Sequence, residues 1–225
     1  MPDHGGPFPT LLAVHEAFGV HEHIKDVCRR FARLGYYAIC PELSARQGEA
    51  TTEPDMGKLM STIVFKKPDA EAMGDLDATL AFAKSIGSAD VERAAVVGFC
   101  WGGRQVWLYA AHNPSLKAAV SWYGPLVWRT LQPTAVASAE HDPPDVIADL
   151  KVPVLALYGG KDTFIVPAQV EAMNAKLAAA GGESKIIVYP DAGHGFFADY
   201  RPGYSRADAE ASWLAATGWL KEHGV

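Results

Sequence analysis

Cysteine is scarce in this chain: Cys28, Cys40 and Cys100 are the only three among 225 residues, far apart and without a Cys-x-x-Cys pair. That count argues against a disulfide framework and for reduced thiols in a cytoplasmic protein. Long apolar runs are missing too, none approaching the ~20 residues a bilayer crossing needs. The opening residues, MPDHGGPFPTLL, carry neither a basic start nor a long apolar stretch, so no secretory leader is expected. Cations are in the minority, 20 Lys and Arg against 26 Asp and Glu, for a net charge of −6. This balance disfavours nucleic acid and anionic membranes as partners. Repeats, low-complexity tracts and linkers are absent as well. The expectation is one domain spanning residues 1–225, long enough to bury a substantial core.

What is present is alternation. Apolar, β-prone runs occur at Thr10–His15, Tyr36–Cys40, Ala94–Phe99, Ala118–Tyr123, Val152–Tyr158 and Lys185–Tyr189. Several are apolar almost throughout, as parallel strands covered on both faces must be. Between them lie helical periods. Ile24, Val27, Cys28, Phe31 and Leu34 form one, stopped by Gly35; Met73, Leu76, Leu80, Ala83 and Ile86 form another, stopped by Gly87. Pro167 suits the first turn of a third, and Ser205 the cap of a last helix carrying Ala209, Trp213, Ala216 and Leu220. Strands and helices taking turns predict a doubly wound, mainly parallel α/β sheet. Sites in such sheets lie beyond the carboxyl ends of the strands.

Three strand ends carry chemistry. In VVGFCWGGR, Val96 to Arg104, Gly98 and Gly102 flank Cys100 in a Gly-x-Cys-x-Gly pattern between an apolar strand and a helix-compatible segment. This is the layout of a nucleophile elbow, with a thiol where a serine is more familiar. The amide of Trp101 would open the helix and point at developing negative charge. In GGKD, Asp162 follows the Val152–Tyr158 run. An acid there orients a catalytic histidine, although taken alone it equally suits a turn or a helix cap. In YPDAGHGF, His194 follows Lys185–Tyr189, where a loop histidine can reach a nucleophile on a neighbouring strand and serve as base, then acid. The order nucleophile, acid, histidine is that of the α/β-hydrolases.

A fourth strand end, LLAVHEAFGVHEH, brings Glu16 and Ala17 to the same rim, with Ala17 N–H as the second oxyanion-hole donor. The histidines here do not make a zinc motif. Gly19 stands where a His-Glu-x-x-His pattern needs its second histidine, and His21 and His23, two positions apart at a helix start, are not expected to share a face. No metal or other cofactor is expected.

Together, HEAFGVHEHIKDVCRRFARLGYYAICPEL, GFCWGG, YGGKD and DAGHGF resemble the dienelactone hydrolase (carboxymethylenebutenolidase) family, in order from about Thr10 to the C-terminus. The resemblance implies an α/β-hydrolase fold and a triad on Cys100, Asp162 and His194. It implies that Glu16 contacts the resting thiol and that substrate frees the cysteine. It further implies metal-free hydrolysis of an unsaturated lactone or related ester through a thioester. Two departures stand out. The family's leading strands look missing or shortened, which leaves the N-terminal sheet edge, and the choice between monomer and homodimer, open. The family's arginines that hold a substrate carboxylate are not all in place, because Ala198 stands four residues beyond His194. Arg201 and Arg206 are nearby substitutes; Lys66 and Lys67 read as surface lysines. Trp122, Tyr123, Phe164 and Phe196 are offered as lining of an apolar pocket for a small ester or lactone. Two competing readings remain: a general carboxylesterase or thioesterase, and a non-catalytic binding or thiol redox-sensing protein using Cys100.

Overall fold

The structure, a computed structural model, describes residues 5–131 and 139–225. Six strands form one sheet: β1 (Phe8–Val14), β2 (Tyr37–Ile39), β3 (Ala89–Phe99), β4 (Ala118–Trp122), β5 (Val154–Gly159) and β6 (Lys185–Tyr189). Their order is β2-β1-β3-β4-β5-β6 and every pairing is parallel. Parallel neighbours need crossover connections, and α1 (Glu22–Arg33), α2 (Met56–Thr62), α3 (Asp69–Ile86), α4 (Trp101–His112) and α5 (Pro167–Ala180) lie in them, with short 3-10 turns among the described residues between β4 and β5; α6 (Arg206–Glu222) follows the last strand.

The core is what the apolar runs foretell. Val154 to Gly159 and Ala118 to Trp122 are buried at every position, because helices cover both faces of these central strands. Boundaries differ from the sequence pattern for local reasons. β3 begins at Ala89 rather than Ala94, since Ala89 and Asp90 pair with Phe8 and Pro9 before the register jumps from Asp90 to Ala94. That jump falls at Pro9, which has no N–H to give to the ladder. β5 starts one residue after Pro153, for the same reason. α2 has no counterpart among the helical periods read from the sequence; it is short, and Asp55 caps it by accepting from Lys58 N–H at 2.7 Å.

One buried ion pair fixes α4 behind the sheet's central edge. Arg104 is fully buried and grips Asp69 of α3 with both terminal nitrogens, at 2.7 and 2.8 Å. The same Asp69 oxygen accepts from Glu140 N–H, tying in the chain ahead of β5. Among the described residues no helix is long and apolar enough to cross a membrane.

Candidate active site

The end of β3 turns into α4 within a single residue. Cys100 makes that turn with φ 51° and ψ −123°, outside the regions an L-residue prefers. Two glycines make the turn possible. A Cβ on Gly98 would lie 2.4 Å from the carbonyl oxygen of Gly102, and a Cβ on Gly102 would lie 2.4 Å from the backbone oxygens of both Val14 and His15. The first turn of α4 is thus pressed directly onto the end of β1. Cys100 N–H donates to Trp122 C=O at 3.0 Å, and Cys100 C=O accepts from Arg104 N–H at 3.2 Å, so the residue is pinned on both sides.

His194 reaches that thiol from the loop after β6. Its Nε2 stands 3.3 Å from Cys100 Sγ, and its Nδ1 stands 2.8 Å from Oδ2 of Asp162, in the loop after β5. Asp162 is itself fixed: Oδ1 accepts from the backbone N–H groups of Phe164 and Ile165 at 2.8 and 2.9 Å. Burial opposes a charged imidazole here. The Cys100 charge and the hydrogen bonds with Asp162 and the thiol outweigh it, and His194 is pushed up to about 10. The three strand ends picked from the sequence therefore meet in one chain of contacts.

Glu16 sits at the fourth strand end, fully buried. Its Oε2 accepts from Tyr200 O–H, with His21 Nε2 at 3.7 Å and Arg201 3.9 Å from the other oxygen. Burial alone would raise its carboxyl; the neighbouring His21, Tyr200 and Arg201 hold it below the usual carboxylate range. No hydrogen bond joins Glu16 to Cys100 among the described residues; the hydrogen bond to its carboxylate comes from Tyr200. The sequence carries no sign of Tyr200, which is 184 residues away. His21 and His23 depart from expectation as well. His21 is the extended N-cap of α1, which swings its ring alongside that of His23, stacked at 6.0 Å, and both pack on Tyr200. His23 then bonds Asp199 at 2.8 Å. Among the described residues no cluster suited to a metal ion is present.

The remaining site residues divide. Arg201 belongs to the cluster, beside Glu16 and over the ring of Phe18. Arg206 does not: it opens α6, is 82% exposed at its side chain, and pairs with Glu210 one turn on. Tyr123 and Phe164 both meet the His194 ring edge-on, at 5.2 and 5.3 Å. Tyr123 is buried, on a strained φ of 38°, whereas Phe164 is exposed. Trp122 and Phe196 are core, not pocket lining. Trp122 stacks on Phe99 and donates its indole N–H to Ser212 at 3.1 Å, and Phe196 packs on Tyr189 and Tyr123. Lys67 is also not the surface lysine expected. It is buried between Glu71 and Asp75, while Lys66 is exposed. Finally, neither Trp101 N–H nor Ala17 N–H has a protein acceptor among the described residues.

Comparison with known proteins places the chain in a family. The model of the dienelactone hydrolase family matches residues 1–224. A protein of Methylorubrum extorquens named "Putative carboxymethylenebutenolidase" is 53% identical over the whole chain, which spans 76% of that relative. One of the same name from Escherichia coli K12 is 48% identical over 97% of this chain and 79% of its own length. A solved structure from Klebsiella pneumoniae, named "Putative Dienelactone Hydrolase", superposes with a TM-score of 0.91 at 46% identity, covering 97% of this chain and 89% of that one. An acylaminoacyl peptidase of Pyrococcus horikoshii shares the fold alone, with a TM-score of 0.75 at 17% identity, over 99% of this chain and 38% of that one. The chain belongs to the dienelactone hydrolase family, enzymes built on the α/β-hydrolase fold.

Proposed function

We propose that this hydrolase cleaves a small ester or lactone, of the kind its carboxymethylenebutenolidase relatives are named for, through a thioester on Cys100. The observation that carries the reading is the unbroken line Sγ, Nε2, Nδ1, Oδ2 with separations of 3.3 and 2.8 Å. His194 holds the proton drawn from the thiol, and Asp162 stabilises the imidazolium. The thiolate attacks the carbonyl carbon, and the carbonyl electron pair moves onto oxygen, which Trp101 N–H and Ala17 N–H receive. Collapse breaks the C–O bond, and the departing alkoxide takes the proton from His194. Water then gives a proton to His194 and attacks the thioester. The second collapse releases the carboxylic acid product and returns the thiol.

Glu16 enters this reading through charge. Its buried carboxylate, held ionised by Tyr200, His21 and Arg201, opposes a free thiolate nearby until substrate changes the balance. Glu16→Gln should then shift the pH profile of thiol alkylation, and an unchanged profile would end that part of the proposal. A general carboxylesterase is the second reading. The outward turn of Arg206 favours it, since Arg201 alone of the two arginines stands at the site and is already beside Glu16.

The experiment is hydrolysis of a panel of neutral aryl esters, thioesters and a carboxylated unsaturated lactone by wild type and Cys100→Ala. Turnover that vanishes in the variant supports the thiol mechanism, and the preferred substrate separates the two readings. Turnover that survives Cys100→Ala overturns the nucleophile assignment.

A further inference from the structure

In the sequence His15 stands out only as one histidine of a failed zinc pattern, and the triad does not use it. In the fold it is 1% exposed, and both ring nitrogens are engaged. Leu43 N–H donates to Nε2 at 3.0 Å, which leaves Nδ1 as the nitrogen that carries a proton. Nδ1–H donates to Glu16 C=O at 2.6 Å. Glu42 Oε1, 3.2 Å from the same Nε2, is the acidic group paired with the ring among the described residues. The ring also stacks on the indole of Trp101, with centroids 5.7 Å apart. The backbone oxygen of His15 is one of the two atoms against which Gly102 of α4 is packed.

These contacts converge on two peptide groups. Glu16 C=O and Ala17 N–H belong to a single planar trans unit, so a bond that anchors the carbonyl at one edge aims the N–H at the other. The second donor, Trp101 N–H, sits on the residue whose side chain His15 covers. We propose that His15 is a positioning residue for the oxyanion hole, its Nδ1–H bond to Glu16 C=O and its stacking on Trp101 together setting the spacing between Ala17 N–H and Trp101 N–H. The inference rests on the thiol-hydrolase reading above and adds to it how the two donors are held. Its consequence is selective. The hole acts only where a carbonyl oxygen becomes negative, so His15 matters for acyl chemistry at Cys100 and not for the reactivity of the thiol itself.

Three substitutions separate this from a structural role. His15→Ala removes both contacts. His15→Asn keeps an N–H donor where Nδ1 stood, and His15→Gln places its amide near the Nε2 position instead. Ester hydrolysis is measured beside alkylation of Cys100 by iodoacetamide, in which the sulfur displaces iodide from a saturated carbon without forming an oxyanion, and beside the thermal midpoint. Because removing an oxyanion donor lowers kcat by 10²–10³ and misplacing one costs less, His15→Ala and His15→Gln should lower kcat about 10- to 100-fold. KM and the alkylation rate should stay within about threefold of wild type, and His15→Asn should recover most of the loss.

A readout that needs no turnover accompanies this: protection of Cys100 from iodoacetamide by butyraldehyde. There Sγ bonds to the carbonyl carbon, the π pair moves onto oxygen as an oxyanion facing Trp101 N–H and Ala17 N–H, and the thiol proton stays on His194 as imidazolium. Protection should weaken at least tenfold in His15→Ala and recover in His15→Asn. Alkylation falling in step with hydrolysis, or wild-type kcat and protection in His15→Ala, would overturn the proposal. Failure of the underlying reading looks different, as hydrolysis that persists in Cys100→Ala.

Discussion

Replacing Asp162 by Asn keeps the shape of the site and changes one charge, and the surrounding hydrogen bonds dictate the response. Oδ1 of Asp162 accepts from Phe164 N–H and Ile165 N–H, two fixed backbone donors. The asparagine must therefore turn its oxygen to them and its NH₂ to His194. Nδ1 of His194, 2.8 Å away, then faces a donor and has to become an acceptor. The imidazole switches tautomer, and its remaining proton moves to Nε2, pointing at Cys100 Sγ 3.3 Å away. A base whose lone pair has been replaced by a proton cannot take the thiol proton. With this loss kcat should fall about 10³- to 10⁴-fold, the size found where a triad acid is made an amide.

The energetics agree in sign. His194 lies at about 10 against an ordinary 6.5, equivalent to about 5 kcal/mol of preference for imidazolium. Burial opposes that preference; the Cys100 charge and Asp162 share in creating it. A raised histidine stabilises the fold fully below 6.5, and this contribution is lost as pH climbs through 10. In Asp162→Asn the His194 titration should move down, because one of the groups that favour imidazolium is gone. The assay is kcat on a p-nitrophenyl ester, with NMR titration of the His194 ring and the thermal midpoint as controls. A variant with kcat within tenfold of wild type and an unmoved His194 titration would refute the reasoning.

Three further perturbations test the frame around the site. Gly102→Ala places a Cβ 2.4 Å from two backbone oxygens that cannot rotate away; a loss of about 3 kcal/mol or more is expected, lowering the thermal midpoint by about 10 °C. Asp69→Asn removes the charge that balances the fully buried Arg104 guanidinium, which keeps His141 C=O as an acceptor, and should cost about 3–5 kcal/mol in urea unfolding, whereas replacing both partners by apolar residues should cost less. Arg206→Ala removes a solvent-exposed pair with Glu210 and should leave kcat/KM within twofold for every ester tested, while Arg201→Ala, beside Glu16, should change it.

Much of this protein is legible in its residues, and the reason is the parallel sheet. Strands covered on both faces must be apolar throughout, so Val152–Tyr158 and Ala118–Tyr123 stand out against any helical period. Once the sheet is parallel, all its carboxyl ends face one rim, and polar residues just past those ends are candidates to meet. Cys100, Asp162, His194 and Glu16 are found by that rule, not by pairwise contact. Arg206 carries a local signal of its own that points away from the site. Glu210 lies four residues beyond it at the start of a helix, a spacing that pairs the two on the outer face.

Contacts between loops are what the pattern hides. Tyr200 meets Glu16, His23 meets Asp199, and His15 meets Leu43 across separations that no local periodicity encodes. Burial hides others. Lys67 reads as a solvated charge because lysine usually is one, and only the fold brings Glu71 and Asp75 around it. The two kinds of information also divide the chemistry. Strand ends supply the groups of the proposed triad, which is why the sequence yields candidates for a nucleophile, a base and an acid. Loop contacts supply orientation: which group faces Nδ1 of His194, what anchors Glu16 C=O, what surrounds the Glu16 carboxylate. A reading of sequence alone therefore recovers what reaction the site can attempt, and the structure adds the contacts that fix how well its parts are aimed.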